Sequence, residues 1–267
     1  MVSPKLIAKI ESEEPSPRLA VLIDADNAQA AVIEGILAEV ARFGEASVKR
    51  IYGDFTSPAS ASWKKVLQKF AIKPMQQFAY TTGKNATDST LIIDAMDLLY
   101  SRKFDGFCLV TSDSDFTGLA TRIREEGLSV LGFGEQKTPD AFRNACHKFV
   151  LTEVLRQSNT ETQITGARET GTLPTATPSL PGTEEATFPH RFMLDALERS
   201  SDENGWAHLG TFGSYLTQLK PDFDSRLYGH RKLSDMVRAR DDLFETEERQ
   251  IPGQPQRQLY LRAKSGN

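Results

Sequence analysis

The sequence predicts an α/β domain built on a parallel sheet, then a linker and a second, smaller domain of helices and strands. Three observations carry this. From residue 18 to about 155, short apolar runs alternate with stretches of helical periodicity, the pattern of a parallel sheet covered by helices on both faces. From Ser158 to Thr187 the chain turns to Thr, Pro, Gly and Glu without periodicity. Such a segment buries too little apolar surface to offset its ordering entropy. Residues 188 to 262 then regain a pattern.

Taken in order, strands are expected at Leu19–Ile23, Ser47–Tyr52, Ile72–Ala79, Gly106–Thr111, Leu128–Phe133 and Lys148–Leu151. Ala31, Ile33, Ile36, Leu37 and Val40 mark one amphipathic helix, and Trp63, Val66, Leu67 and Phe70 another. Crossovers between parallel strands should be right-handed. In the second domain, Phe192, Leu194 and Leu197 begin a first helix. A second starts near Leu209 or Thr211, and Leu233, Met236 and Val237 mark a third. Leu243–Glu247 and Gln258–Leu261 read as strands around Pro252-Gly253. Three helices and a terminal hairpin form a small winged-helix (α+β) arrangement. The expected boundaries are a tail over 1–17, a first domain over 18–157, a flexible linker over 158–187 and a second domain over 188–264.

The totals exclude several classes. The chain has 267 residues, 39% hydrophobic and 25% charged, a globular composition. No apolar run approaches the roughly 20 residues that span a bilayer. Met1 to Pro17 mixes Lys and Glu with Pro and lacks the apolar centre of a signal peptide. The expectation is a cytoplasmic protein with no membrane partner. Cys108 and Cys146 read as reduced packing residues, and nothing near Cys146-His147 completes a zinc set. A net charge of −4 neither favours nor excludes nucleic acid, because binding depends on local patches.

The informative residues are acids that follow apolar runs. Asp24 and Asp26 follow the first strand, and Asp113 and Asp115 follow the fourth. Each alone is a good helix N-cap. Asp88 opens a helical pattern with Leu91, Ile92, Ala95 and Leu99 within about 60° of it, so it lies on the core-facing stripe. Asp97 falls nearly opposite, as a solvated charge. Asp94 lies to one side, to support the site or to bond to backbone. In a parallel α/β fold the carboxyl ends of the strands share one edge, where ligands bind. Carboxylates gathered there repel one another unless a cation sits among them. Hard oxygen donors without His or Cys favour Mg2+ or Mn2+.

These residues resemble a known family. Ile23-Asp24-Ala25-Asp26-Asn27, then Lys84-Asn85-Ala86-Thr87-Asp88 with Asp94, then Thr111-Ser112-Asp113-Ser114-Asp115-Phe116, look like the motifs of the NYN domain, the LabA-like branch of the PIN-like nuclease superfamily. Gly132-Phe133-Gly134-Glu135 and Pro139 to Phe149 continue the likeness, which covers roughly residues 18 to 153. Phe223 to Met236, with Tyr228-Gly229-His230-Arg231-Lys232, resembles a LOTUS (OST-HTH) domain more loosely. The resemblance implies a three-layer PIN-like fold and a metal-dependent endoribonuclease. Asp24, Asp88, Asp113 and Asp115 would hold one or two Mg2+ or Mn2+ ions, and the products would carry a 5′-phosphate and a 3′-hydroxyl. Asn27 would orient a water or a phosphate oxygen, with Asp26, Asp94 and Lys84 of second rank.

Arg50, Lys64, Lys65 and Lys84 are candidate phosphate contacts, each Lys reading equally as a solvated charge. In the second domain, Tyr228, His230, Arg231 and Lys232 are candidate RNA contacts, while the winged helix also suits a protein partner. The main alternative is a non-catalytic RNA-binding adaptor that keeps the metal site. A haloacid-dehalogenase-like phosphatase shares the Asp24-Ala25-Asp26 spacing but expects Thr or Val where Ala28 stands. No Gly-rich phosphate loop follows the first strand, and the third ends Phe78-Ala79-Tyr80 without the Asp of a response-regulator receiver.

Overall fold

A computed structural model of the chain describes residues 16–56, 61–78, 86–156, 188–250 and 256–264. The expected N-terminal tail up to residue 15, the linker over 158–187, and Lys84 lie outside them. Among the described residues no helix is long and apolar enough to cross a membrane.

The chain forms two compact units. The larger of its two sheets is six-stranded, in the order β3-β2-β1-β4-β5-β6. Its strands are β1 (Arg18–Asp24), β2 (Glu45–Gly53), β3 (Lys73–Gln76), β4 (Gly106–Val110), β5 (Ser129–Gly134) and β6 (Lys148–Leu151). β1 pairs in parallel with both β2 and β4, β2 with β3, and β4 with β5. The helices are α1 (Ile33–Val40), α2 (Ala61–Phe70), α3 (Ala86–Tyr100), α4 (Thr117–Glu125) and α5 (Asp140–Ala145). Ala20 to Ile23 and Phe107 to Val110 are buried throughout, as strands covered on both faces must be.

All six strands were legible as apolar runs, but their edges moved. β2 starts two residues earlier than expected, and β3 stops at Gln76. A 3-10 turn over Ala30–Val32 precedes α1 and leaves Ala31 exposed. Cys108 and Cys146 are buried free thiols, and burial pushes both up to about 12.

The strand order decides where the site forms. The chain runs outward from β1 through β2 and β3, then returns to place β4 on the other side of β1. The crevice at such a reversal, outside the carboxyl ends of the strands, is where open parallel sheets bind ligands. Ile23 pairs with Val110, so Asp24 and Thr111 leave the sheet side by side. Gly53, at the end of β2, makes room there: a Cβ on it would sit 2.8 Å from the Ala25 Cβ, beside the Asp24–Asp26 turn.

The second unit contains α6 (His190–Ser200), α7 (Leu209–Leu219) and α8 (Leu233–Arg238). Its three-stranded sheet has the order β7-β9-β8, from β7 (Ala207–His208), β8 (Phe244–Gln250) and β9 (Arg257–Ala263), and both pairings are antiparallel. Met193, Leu197, Phe212, Leu216, Met236, Val237, Phe244 and Leu261 fill its core. The three helices and the antiparallel β8–β9 pair match the expected arrangement, and the expected Pro252-Gly253 turn lies outside the described residues. β7 was not foreseen, because two residues carry no periodicity.

Candidate metal centre

The site is assembled from two strand ends and one helix start. Asp24 is fully buried at the end of β1. Its Oδ2 accepts from Asn27 Nδ2 and from Thr111 Oγ1, both at 2.8 Å, and its Oδ1 accepts from the Asp26 backbone N–H at 3.0 Å. Burial raises the Asp24 carboxyl above its ordinary range, and these hydrogen bonds work against that rise.

Asp113 caps the 3-10 turn Ser114–Phe116, its Oδ1 accepting from the Asp115 N–H at 2.9 Å. The capping role is therefore real, and it does not exclude another. One carboxylate oxygen each from Asp88, Asp113 and Asp115 lies within 4.8 Å of the others. Asp88 reaches the group from the first turn of α3, on the side of that helix predicted from its phase with Leu91, Ala95 and Leu99, all buried. Asp97 is exposed, as expected.

Electrostatics tie Asp88 to its neighbouring acids. Asp88 is pushed up to about 6, first by burial and then by the charges of Asp24, Asp113, Asp115 and Asp26. Carboxylates gathered this closely repel one another, and a divalent cation relieves that repulsion. The donors are all carboxylate oxygens, which suits a hard ion. The residues present therefore fit Mg2+ or Mn2+, with Asp88, Asp113 and Asp115 nearest one another and Asp24 alongside.

Thr111 joins the two strand ends and was missed as a site residue. It is buried, donates to Asp24 Oδ2, and accepts from the Asp113 backbone N–H at 3.1 Å. A Thr closing an apolar strand reads simply as a strand former, so the sequence held no separate signal for it. Thr111→Val is expected to weaken Mn2+ binding roughly 10- to 100-fold, as losses of metal-site support typically do. Thr111→Ser should keep the wild-type value, and a metal titration that cannot tell Val from Ser would refute the assignment.

The remaining candidates divide. Asp26 is exposed at the rim and contributes charge. Asn27 uses its amide to hold Asp24. Asp94 turns to β2, where it pairs with the Arg50 guanidinium and accepts from the Tyr52 hydroxyl. Arg50, read from sequence as a phosphate contact, is thus engaged by Asp94 and is 22% exposed. Burial and then the hydrogen bond to Asp94 hold the Tyr52 hydroxyl far above its ordinary range, so it stays protonated and donates to Asp94. Asp94→Ala would strand both partners and is expected to cost about 3 kcal/mol, as for one half of a partly buried ion pair. Urea unfolding checks this, and an unchanged midpoint would count against it. Lys64 and Lys65 are exposed on α2.

The NYN domain family matches residues 18–158, more than half of the chain and the whole of the acidic edge. The chain belongs to the NYN domain family. The NYN domain is part of the PIN-like nuclease superfamily. An OST-HTH/LOTUS domain matches residues 187–256, the stretch that holds α6, α7, α8, β7 and β8. Among solved structures, an uncharacterized protein of Nitrosomonas europaea determined by NMR is 54% identical over 38% of this chain and 93% of its own, with a TM-score of 0.31. A crystal structure of a protein of unknown function from Vibrio parahaemolyticus is 18% identical over 52% of this chain and 95% of its own, with a TM-score of 0.45. No curated protein matches.

In the LOTUS domain Tyr228 packs against the core, its ring 6.0 Å from that of Phe223. Leu233 packs there too. His230 is half-buried, and Arg231 and Lys232 are exposed. Arg226, close before these residues in the chain, is held by Asp224 at 2.6 Å. Burial raises the Asp224 carboxyl, but the Arg226 hydrogen bonds and charge outweigh it and leave it below the usual range.

Proposed function

We propose that this NYN protein is a metal-dependent endoribonuclease that hydrolyses RNA phosphodiester bonds at the Asp24, Asp88, Asp113 and Asp115 edge, in the cytoplasm, with the LOTUS domain helping to choose the RNA. The observation that carries it is the convergence of Asp88, Asp113 and Asp115 oxygens within 4.8 Å, drawn from α3 and the end of β4, in a PIN-like domain.

Asp88, Asp113 and Asp115, with Asp24 beside them, would hold Mg2+ or Mn2+. A divalent cation in such a site supplies Lewis acidity toward water and the phosphate oxygens. The chain's own residues do the positioning. Asn27 and Thr111 fix the Asp24 carboxylate. The Asp115 N–H orients Asp113. Above pH about 6 Asp88 is ionised and able to act as a ligand.

The test is cleavage of single-stranded RNA with Mn2+ or Mg2+ against chelator, with end-group analysis. Metal-dependent products bearing 5′-phosphate and 3′-hydroxyl ends support the proposal. RNA binding without product supports the adaptor reading instead. In the same protein, Arg231→Ala with Lys232→Ala should weaken RNA binding and flatten its log–log salt dependence by about 1.4, at roughly 0.7 per lost phosphate contact. An unaltered slope excludes these two as phosphate contacts.

A further inference from the structure

The outer face of the LOTUS sheet carries features that the acidic edge does not use. Register and alternation define that face. Ala207, Leu261 and Phe244 are buried toward the helices. His208 pairs with Tyr260 and Tyr260 with Glu247, one row across all three strands that points the other way. Glu245 and Arg262 form the next outward row, and Arg249 stands opposite Gln258.

Rings and guanidinium groups gather there. The Arg249 guanidinium lies 4.5 Å from the Trp206 ring centroid and 4.6 Å from that of Tyr260. Arg262 lies 4.8 Å from the Trp206 centroid, and the His208 ring 5.4 Å from that of Tyr260. Glu247 holds Arg249 at 2.9 Å, and Glu245 holds Arg262 at 2.7 Å. Each guanidinium is thereby fixed in orientation and balanced in charge.

We propose that this face, Trp206, His208 and Tyr260 with the planes of Arg249 and Arg262, binds the unpaired bases of single-stranded RNA by stacking. The inference rests on the reading of the LOTUS domain as an RNA-recognition module. The ligand class follows from what the face offers. Flat groups already lie against its rings in this structure, so its geometry accepts planar partners. Aromatic rings and guanidinium planes are the two platforms on which unpaired bases stack. No aliphatic side chain stands on the outward positions of the described strands, so a peptide anchored by Leu or Ile finds no matching contact. With both arginines paired to glutamates, the face recognises bases rather than phosphates.

The test uses the full chain in chelator, so that nothing is cleaved. The probe is a labelled oligoadenylate of about 12 nucleotides, within the site sizes of such surfaces. Trp206→Leu and Tyr260→Leu should each lower affinity roughly 5- to 100-fold, the usual loss of one stacked base. Tyr260→Phe should bind as the wild type does. An abasic strand of the same length should bind weakly, and equally to all variants. The oligonucleotide should also quench wild-type tryptophan fluorescence and leave that of Trp206→Phe unquenched, a readout that needs no destabilising change. Wild-type affinity in both folded Leu variants, equal binding of the abasic strand, or no quenching would each overturn the proposal. Binding is read without metal and cleavage with it, so failure of one leaves the other standing.

Discussion

Asp113→Asn should lower Mn2+-dependent RNA cleavage by about 1,000-fold, roughly 4 kcal/mol of barrier, while the fold melts as before. Asn keeps the size of the side chain and an oxygen to accept the Asp115 N–H, so the turn over Ser114–Phe116 persists. What it removes is one negative charge from a set whose oxygens lie within 4.8 Å of one another. Asp24→Asn should act in the same direction, because both oxygens of that buried carboxylate are placed by fixed donors. Wild-type cleavage by both variants would remove the catalytic assignment.

The second large effect is on stability, and it reverses with metal. Asp88 sits near 6 in the folded chain against an ordinary value of 3.8. A carboxyl raised on folding binds more protons in the native state than in the unfolded one, so stability falls as pH climbs from about 4 to about 6 and stays lower above that. Asp24 is raised as well and adds to the same trend. The metal-free Asp88→Asn variant should therefore melt higher than the wild type at pH 7.5 and match it near pH 4. Mn2+ at about 100 times its dissociation constant should stabilise the wild type by about 2.7 kcal/mol, on the order of 5–10 °C. It should do much less for Asp88→Asn. Equal metal shifts in the two proteins, or no difference between them without metal at pH 7.5, would show that the four acids are not coupled in this way.

The sequence revealed more of the strands than of their arrangement. Unbroken apolar runs marked β1 and β4, which are buried on both faces, whereas β3 is mostly exposed and its run placed its edges poorly. Helical phase placed Asp88 on the inner side of α3 and Asp97 outside, since both facts are local to one helix. Asp94 shows where that reasoning stops. Its phase put it beside the core stripe, but its partners, Arg50 and Tyr52, are 44 and 42 residues away on β2. The link from Thr111 to Asp24 spans 87 residues, and only the strand order brings the two together. In the LOTUS domain, the row His208, Tyr260, Glu247 exists only once the register of three strands is fixed.

The placement of β4 beside β1 has a consequence for synthesis. A nascent chain that has exposed β1, β2, β3 and α3 to solvent holds Asp24 and Asp88, but neither Thr111 nor the Asp113–Asp115 turn. The crevice is complete only once β4 pairs with β1, a contact between segments distant in sequence, of the kind that slows folding. A ribosome-bound chain of fewer than 113 residues therefore lacks two of the four acids proposed as ligands. Such a chain should be inert toward the messenger that encodes it.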